Sequence, residues 1–152
     1  MKIDSVGGRI AAVEESEHDA RGLWAAPGFI DLQVNGFAGV DYNSPQITLE
    51  DIARSIRTLR STGVTRFFPT VITGSRESML AAARLLGRAR KQLDEGVSIA
   101  GIHVEGPFIA AEDGPRGAHP REHVRPPDRD EFLRLQEAAE GTIRLLTLAP
   151  EL

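Results

Sequence analysis

The sequence predicts an α/β fold, and more narrowly a partial (βα)8 TIM barrel that contains about the first four strands. Apolar runs of strand length alternate with helix-periodic segments from residue 27 onward, which favours parallel strands joined by helices. A complete barrel takes about 250 residues, and the chain has 152. The last predicted strand is followed by residues 149–152 and by no covering helix, so we expect a fragment of a longer barrel.

A short β element is expected before the barrel part. Two extended segments flank Gly7-Gly8, a pair that supplies the positive φ of a two-residue hairpin turn. A Pro-Gly pair at position 27 then interrupts the chain. We therefore divide the chain into a β element over residues 1–26 and a barrel part over residues 27–152.

Four strands and three helices are expected in the barrel part. The strands are predicted at apolar runs: 29–34, 64–71, 97–104 and 142–148. The helices are predicted to begin after three capping side chains: Thr48, Ser75 and Asp128. Asp51 and Glu131 stand three residues after the first and third of these, which predicts two capping boxes. Gly96 is expected to end the second helix, and the third is expected to reach about Ala139.

Composition limits the partners of the protein. The 18 Lys and Arg against 22 Asp and Glu give a net charge of −4, which argues against a nucleic-acid or anionic-membrane partner. Because there is no cysteine, metal ligands must come from His, Asp and Glu. No apolar run approaches the ~18 residues of a membrane span. We expect a cytoplasmic protein.

Two amides close the first predicted strand. Gln33 and Asn35 are two residues apart, so they lie on the same side of a strand, and Gly36 permits a sharp exit. The carboxyl ends of barrel strands are where active sites lie. Both amides therefore either hold a substrate or hydrogen-bond the loop backbone.

The third predicted strand ends with two titratable side chains. His103 and Glu105 share one face, and Pro107 prevents the ladder from continuing. A carboxylate at a barrel mouth needs a cationic partner, because burying it unpaired is costly. Glu105 is therefore either a metal ligand or the partner of an arginine such as Arg116 or Arg121. His103 is either a hydrogen-bonded core histidine or a ligand.

The connection over 105–127 is long and rich in Gly, Pro and His, as functional loops often are. His119 has two arginines nearby and is placed to contact a phosphate or a sugar hydroxyl, unless the loop tip is simply solvated. His18 and His123 have no supporting context, and we expect them at the surface.

Four runs of sequence carry the most specific signal. They are PGFIDLQVNG at 27–36, GVTRFFPT at 63–70, GIHVEGPF at 101–108 followed by GAH at 117–119, and TLAPE at 147–151. In this order and spacing they closely resemble N-acetylglucosamine-6-phosphate deacetylases, of the amidohydrolase superfamily. The resemblance covers nearly the whole chain, but only the first part of that family's catalytic barrel.

The resemblance implies hydrolysis of the acetamide of N-acetylglucosamine 6-phosphate to glucosamine 6-phosphate and acetate. By this resemblance Glu105 binds the catalytic divalent metal, Ala118 and His119 contact the amino-sugar phosphate, and Gln33 lies near the substrate. Asn35 and His103 are secondary candidates.

The resemblance also implies one metal ion, zinc or iron. Many amidohydrolases carry a His-x-His pair at the end of the first strand, where this sequence has Gln33-Val34-Asn35. The family's catalytic aspartate and two further metal-binding histidines belong to later strands, beyond the end of this chain. We therefore expect the isolated chain to bind metal weakly and to be inactive. Residues 1–26 are expected to be the remnant of the family's small β-sandwich, and the full-length form a homo-oligomer.

Two other functions compete with this interpretation. A non-catalytic half-barrel that self-associates would also cover its open sheet edge. An amidohydrolase that acts on another, cyclic amide would share the same early strands, because these strands do not contact the leaving group.

Overall fold

In the part of the chain that the structure describes, the fold is an α/β arrangement with a parallel sheet and three helices, as predicted. The computed structural model describes residues 1–16, 22 and 24–152; His18 lies outside them. The elements in chain order are β1 (Lys2–Val6), β2 (Arg9–Glu14), β3 (Phe29–Val34), β4 (Gly36–Phe37), β5 (Val40–Asp41), α1 (Leu49–Arg60), β6 (Val64–Ile72), α2 (Arg76–Gln92), a 3-10 turn (Asp94–Ser98), β7 (Ile102–Glu105), α3 (Arg129–Ala138) and β8 (Ile143–Thr147).

The main sheet has four parallel strands in the order β3-β6-β7-β8. Its register aligns Ile72 of β6 with Glu105 of β7, and Glu105 in turn with Thr147 of β8. Because the strands are parallel, their carboxyl ends meet at one edge of the sheet. Glu105, the last residue of β7, lies at that edge, and Gln33 lies near the end of β3.

The first hairpin is confirmed. Strands β1 and β2 pair antiparallel, and both glycines of the turn have positive φ, 58° at Gly7 and 73° at Gly8. A second, very short hairpin, β4 with β5, was not predicted because each of its strands has only two residues.

All three helix starts are confirmed. Thr48 and Asp51 form a reciprocal capping box, and the Ser75 hydroxyl accepts from the backbone N–H of Ser78. At α3 the Asp128 carboxylate accepts from the N–H groups of residues 130 and 131. The second predicted capping box is wrong in one respect, because the Glu131 carboxylate binds arginine side chains instead of the Asp128 backbone.

The boundary between α2 and β7 differs from the prediction. Gly96 does not end α2, which stops at Gln92 because Leu93 is extended (φ −91°, ψ 142°). Gly96 lies in the following turn, where a Cβ would come within 2.4 Å of the Arg90 carbonyl oxygen. The predicted strand over 97–104 is shortened to Ile102–Glu105, because the turn takes up Val97, which is 68% exposed.

One hydrophobic core joins the sheet to the helices. Its fully buried side chains come from each of these elements: Ile52 and Ile56 of α1, Phe67 and Val71 of β6, Met79 and Leu86 of α2, Val104 of β7 and Leu135 of α3. By contrast, Phe29, Ile30 and Leu32 of the edge strand β3 are more than half exposed. None of the helices in the described part of the chain has the length and apolar character of a membrane span.

The long loop is confirmed over residues 106–127, which form turns but neither helix nor strand. Arg125 anchors its far end. The Arg125 backbone N–H donates to Pro107 (3.0 Å), and its guanidinium donates to the Gly74 carbonyl (3.1 Å) and to Glu131. Glu131 is 3% exposed and also accepts from Arg76 (3.0 Å). One buried carboxylate thus ties the loop to α2 and α3.

We expect substitution of a core leucine to destabilise the fold far more than the same change at the surface. Leu86→Ala removes a fully buried side chain and leaves a cavity, so the free energy of unfolding should fall by about 2–5 kcal/mol. Leu133→Ala, at a position 45% exposed on α3, is the matched control and should change it by less than about 0.5 kcal/mol. Urea unfolding measures both; equal effects would contradict the placement of the core.

The stabilising effect of Glu131 should depend on pH. Burial by itself raises the pKa of this carboxyl, but the guanidinium groups of Arg125 and Arg76 outweigh burial and hold the pKa below its ordinary value. Near pH 4 this carboxyl therefore binds a proton more readily in the unfolded state than in the folded state. The stability that ionised Glu131 contributes is complete above its pKa in the unfolded state, and it is lost as pH falls through its lower pKa in the folded state. At neutral pH, Glu131→Gln should lower the free energy of unfolding by about 2–3 kcal/mol. This loss is smaller than for a fully buried cluster of charges, because Arg76 is half exposed.

The difference in unfolding free energy between wild type and Glu131→Gln should shrink below about pH 4.3. Glu137→Gln, at an exposed position on the same helix, is the control and should show little difference at any pH. A constant wild-type advantage down to pH 2 would show that charge on Glu131 is not its source.

Candidate metal and substrate site

The candidate site forms where strand ends and the long loop meet. Gln33 near the end of β3, Glu105 at the end of β7 and His119 of the loop come together there, although they are up to 86 residues apart in sequence. The Gln33 side-chain amide donates to Glu105 Oε2 at 2.9 Å. The His119 Nε2 atom lies 4.0 Å from Glu105 Oε1.

The Glu105 carboxylate has no arginine partner in the described part of the chain. Arg116, one alternative partner in the sequence analysis, instead pairs with Asp113 and donates to the His119 carbonyl (2.7 Å). Arg121 makes no ion pair among the described residues. The Glu105 side chain is 22% exposed, so a small ion or ligand can reach it.

His119 is oriented by a threonine that the sequence analysis did not single out. Its Nδ1 atom lies 2.8 Å from Thr73 Oγ1, and the same hydroxyl donates to the Glu105 carbonyl oxygen at 3.1 Å. Thr73 directly follows β6 and is 4% exposed. Its position at a strand end was the available signal, the same one that identified Gln33 and Glu105.

His103 lies deeper in the sheet and is 3% exposed. Its Nε2 atom is 2.8 Å from Thr147 Oγ1, and its Nδ1 atom is 3.5 Å from Thr70 Oγ1. Burial lowers the pKa of this imidazole, and the negative charge of Glu105 opposes that effect only in part. The ring therefore favours the neutral form.

The remaining predicted residues lie at the rim. Asn35 is exposed and lines an open cleft of about 520 Å³ together with the β4–β5 hairpin and Ile72. Ala118 is exposed next to His119, whereas His123, expected at the surface, is partly buried. A cleft of about 550 Å³ between α2 and α3 contains none of the candidate site residues.

Asn43 is a second residue that the sequence analysis missed. Its side-chain amide donates to the Thr70 carbonyl (2.9 Å) and accepts from the Ile72 N–H (3.0 Å). It thereby continues the hydrogen bonding of β6 beyond the end of β3. This contact holds the loop after β5 against the strand end that leads to Thr73.

The donor set fits a divalent metal only in part. Glu105 offers carboxylate oxygens without a competing cation, and oxygen and imidazole donors suit zinc or iron. Within residues 1–16, 22 and 24–152, however, no three His, Asp or Glu side chains converge to hold a metal by themselves. The described residues thus fit one ligand position of a catalytic site that needs about three.

Comparison with known proteins agrees with the motifs. No protein-family model matches the chain. It is 36% identical over 146 residues to N-acetylglucosamine-6-phosphate deacetylase from Bos taurus, covering 92% of this chain and 34% of the relative. It is 41% identical over 124 residues to N-acetylgalactosamine-6-phosphate deacetylase from Shewanella sp. (strain ANA-3), covering 82% of this chain and 30% of the relative.

Solved structures agree as well. The N-acetylglucosamine-6-phosphate deacetylase of Thermotoga maritima matches with a TM-score of 0.76 and 33% identity, over 99% of this chain and 38% of that one. A mutant of the Mycobacterium smegmatis enzyme, in complex with N-acetyl-D-glucosamine 6-phosphate, matches with a TM-score of 0.75 and 31% identity, over 94% of this chain and 37% of that one. The chain thus spans about a third of the length of the curated relatives that it matches. The resemblance predicted from its motifs is confirmed: over nearly all of its length, this chain is similar to N-acetylglucosamine-6-phosphate deacetylases.

Proposed function

We propose that the chain supplies part of the active site of a metal-dependent amide hydrolase, which converts N-acetylglucosamine 6-phosphate and water to glucosamine 6-phosphate and acetate. The main support for this proposal is the environment of the Glu105 carboxylate. It lies at the carboxyl ends of parallel strands, bound by one amide and faced by one imidazole, and it lacks a cation among the described residues. In (βα)8 barrels the active site lies at this end of the strands, which supports a functional role for the carboxylate.

Glu105 is the residue that would hold the metal, zinc or iron. A bound divalent ion lowers the pKa of its water toward ~7 and polarises the amide carbonyl. The Gln33 amide, by donating to Oε2, keeps the carboxylate in one orientation. The partly buried His119, with the neighbouring Ala118, would contact the sugar phosphate from the loop.

The named relatives support this substrate class. One solved neighbour holds N-acetyl-D-glucosamine 6-phosphate, and most of the similar curated proteins are named for its deacetylation. The relative at 41% identity is named for the galactosamine epimer. N-acetylgalactosamine 6-phosphate is therefore the second candidate substrate.

The architecture that we propose is the first part of a (βα)8 barrel over residues 27–152, preceded by a β-sandwich remnant over residues 1–26. The parallel order of the four strands and the TM-scores near 0.75 support it. We further propose that the complete protein is a homo-oligomer in the cytoplasm, a compartment that the cysteine-free composition favours.

The direct test is the activity of a chimeric enzyme. A chimera in which this chain replaces the matching 147 residues of the Homo sapiens relative should release acetate from N-acetylglucosamine 6-phosphate. Glu105→Gln in that chimera should lower kcat/KM by at least about 100-fold, because the metal loses a charged ligand. Coupled acetate detection measures both, with N-acetylgalactosamine 6-phosphate and a cyclic amide as parallel substrates.

Glu122→Gln, in the same loop but exposed, is the matched control and should leave activity unchanged. A folded, metal-loaded chimera that hydrolyses only the cyclic amide would overturn the proposal. Full activity of the Glu105→Gln chimera would remove the metal-binding role of Glu105.

Zinc binding by the 152-residue chain itself should be weak, because the described residues offer too few convergent ligands. In a zinc titration followed by NMR, shifts should concentrate at Gln33, Glu105 and His119 and should diminish in Glu105→Gln but not in Glu122→Gln. Tight one-to-one binding in calorimetry would contradict this ligand count.

A further inference from the structure

The Thr73 hydroxyl lies between two parts of the candidate site. It is 3.1 Å from the Glu105 carbonyl oxygen and 2.8 Å from His119 Nδ1. The residue is 4% exposed, so water does not readily replace either partner. The fit is close, since a Cβ on Gly106, whose φ is +81°, would come within 2.0 Å of this hydroxyl oxygen.

Both contacts are satisfied by only one placement of hydrogen atoms. A carbonyl oxygen cannot donate, so the single hydroxyl hydrogen of Thr73 must point at Glu105. The hydroxyl oxygen must then accept from His119, which requires a hydrogen on Nδ1. In the opposite arrangement two oxygen atoms would face each other at 3.1 Å without a hydrogen between them.

The other ring nitrogen, Nε2, consequently faces the candidate site. When His119 is neutral, Nε2 carries a lone pair, and this atom lies 4.0 Å from Glu105 Oε1. Arg116 holds the loop behind the ring by donating to the His119 carbonyl (2.7 Å). The ring is therefore restrained from its backbone and from Nδ1, while Nε2 faces the carboxylate.

We propose that Thr73 is a positioning residue. It keeps the hydrogen of the neutral His119 ring on Nδ1, and it directs Nε2 at the Glu105 side chain and at a ligand bound to that carboxylate. The importance of this placement for catalysis rests on the proposed deacetylase function. The placement itself does not, and it is measurable in the chain without substrate or metal.

The test is the tautomer of His119, observed by two-bond ¹H–¹⁵N NMR correlation at about pH 8.5, where an ordinary histidine is neutral. In the wild-type chain the Nδ1–H form should be in excess. Its ratio to the Nε2–H form should be roughly fivefold higher than in Thr73→Val, which lacks the acceptor, because one hydrogen bond of ordinary strength changes the ratio by about that factor. Thr73→Ser keeps the hydroxyl and should restore it.

Thr147→Val is the matched control. It removes the hydroxyl that lies 2.8 Å from His103 Nε2, so it should alter the His103 signals and leave the His119 ratio unchanged. Backbone ¹H–¹⁵N spectra check that each variant is folded. If Thr73→Val does not fold, the wild-type and Thr73→Ser ratios decide the question.

An excess of the Nε2–H form in the wild-type chain, or an unchanged ratio in folded Thr73→Val, overturns the role of Thr73. An inactive chimera combined with the expected tautomer overturns the deacetylase proposal alone. An active chimera combined with the wrong tautomer overturns the role of Thr73 alone.

Discussion

The parallel register between β6, β7 and β8 is the constraint on which the candidate site depends. Because Ile72 is paired with Glu105, the residue after β6 comes beside the last residue of β7. Thr73 can then reach the Glu105 carbonyl, and His119 can reach Thr73. A shift of one residue in this pairing would turn the Glu105 side chain toward the helices and their apolar core.

The loop that carries His119 is long, yet it is held at several points. Near its far end Arg125 binds the Gly74 carbonyl and the buried Glu131 carboxylate. In its middle Arg116 binds the His119 carbonyl, and the ring itself binds Thr73. A histidine on such a loop can therefore have one orientation, which is what a binding site requires of its polar groups.

Most local features could be predicted because their causes are local. The capping side chains Thr48, Ser75 and Asp128 act within one helical turn, and the glycine pair at positions 7 and 8 acts within one hairpin. The incorrect predictions have non-local causes. The role of Glu131 depends on two arginines 6 and 55 residues away, and the late start of β7 depends on how the turn around Gly96 packs against the end of α2.

The sequence by itself determined the alternation of strands and helices, the polar residues at the strand ends and the resemblance to the deacetylases. Periodicity, capping and motif order depend only on the order of residues along the chain. Only the tertiary structure decided that Glu105 is paired with an amide and not with Arg116, and that Thr73 orients His119. These contacts join residues 46 and 72 positions apart, and only the strand register and the path of the loop bring such residues together.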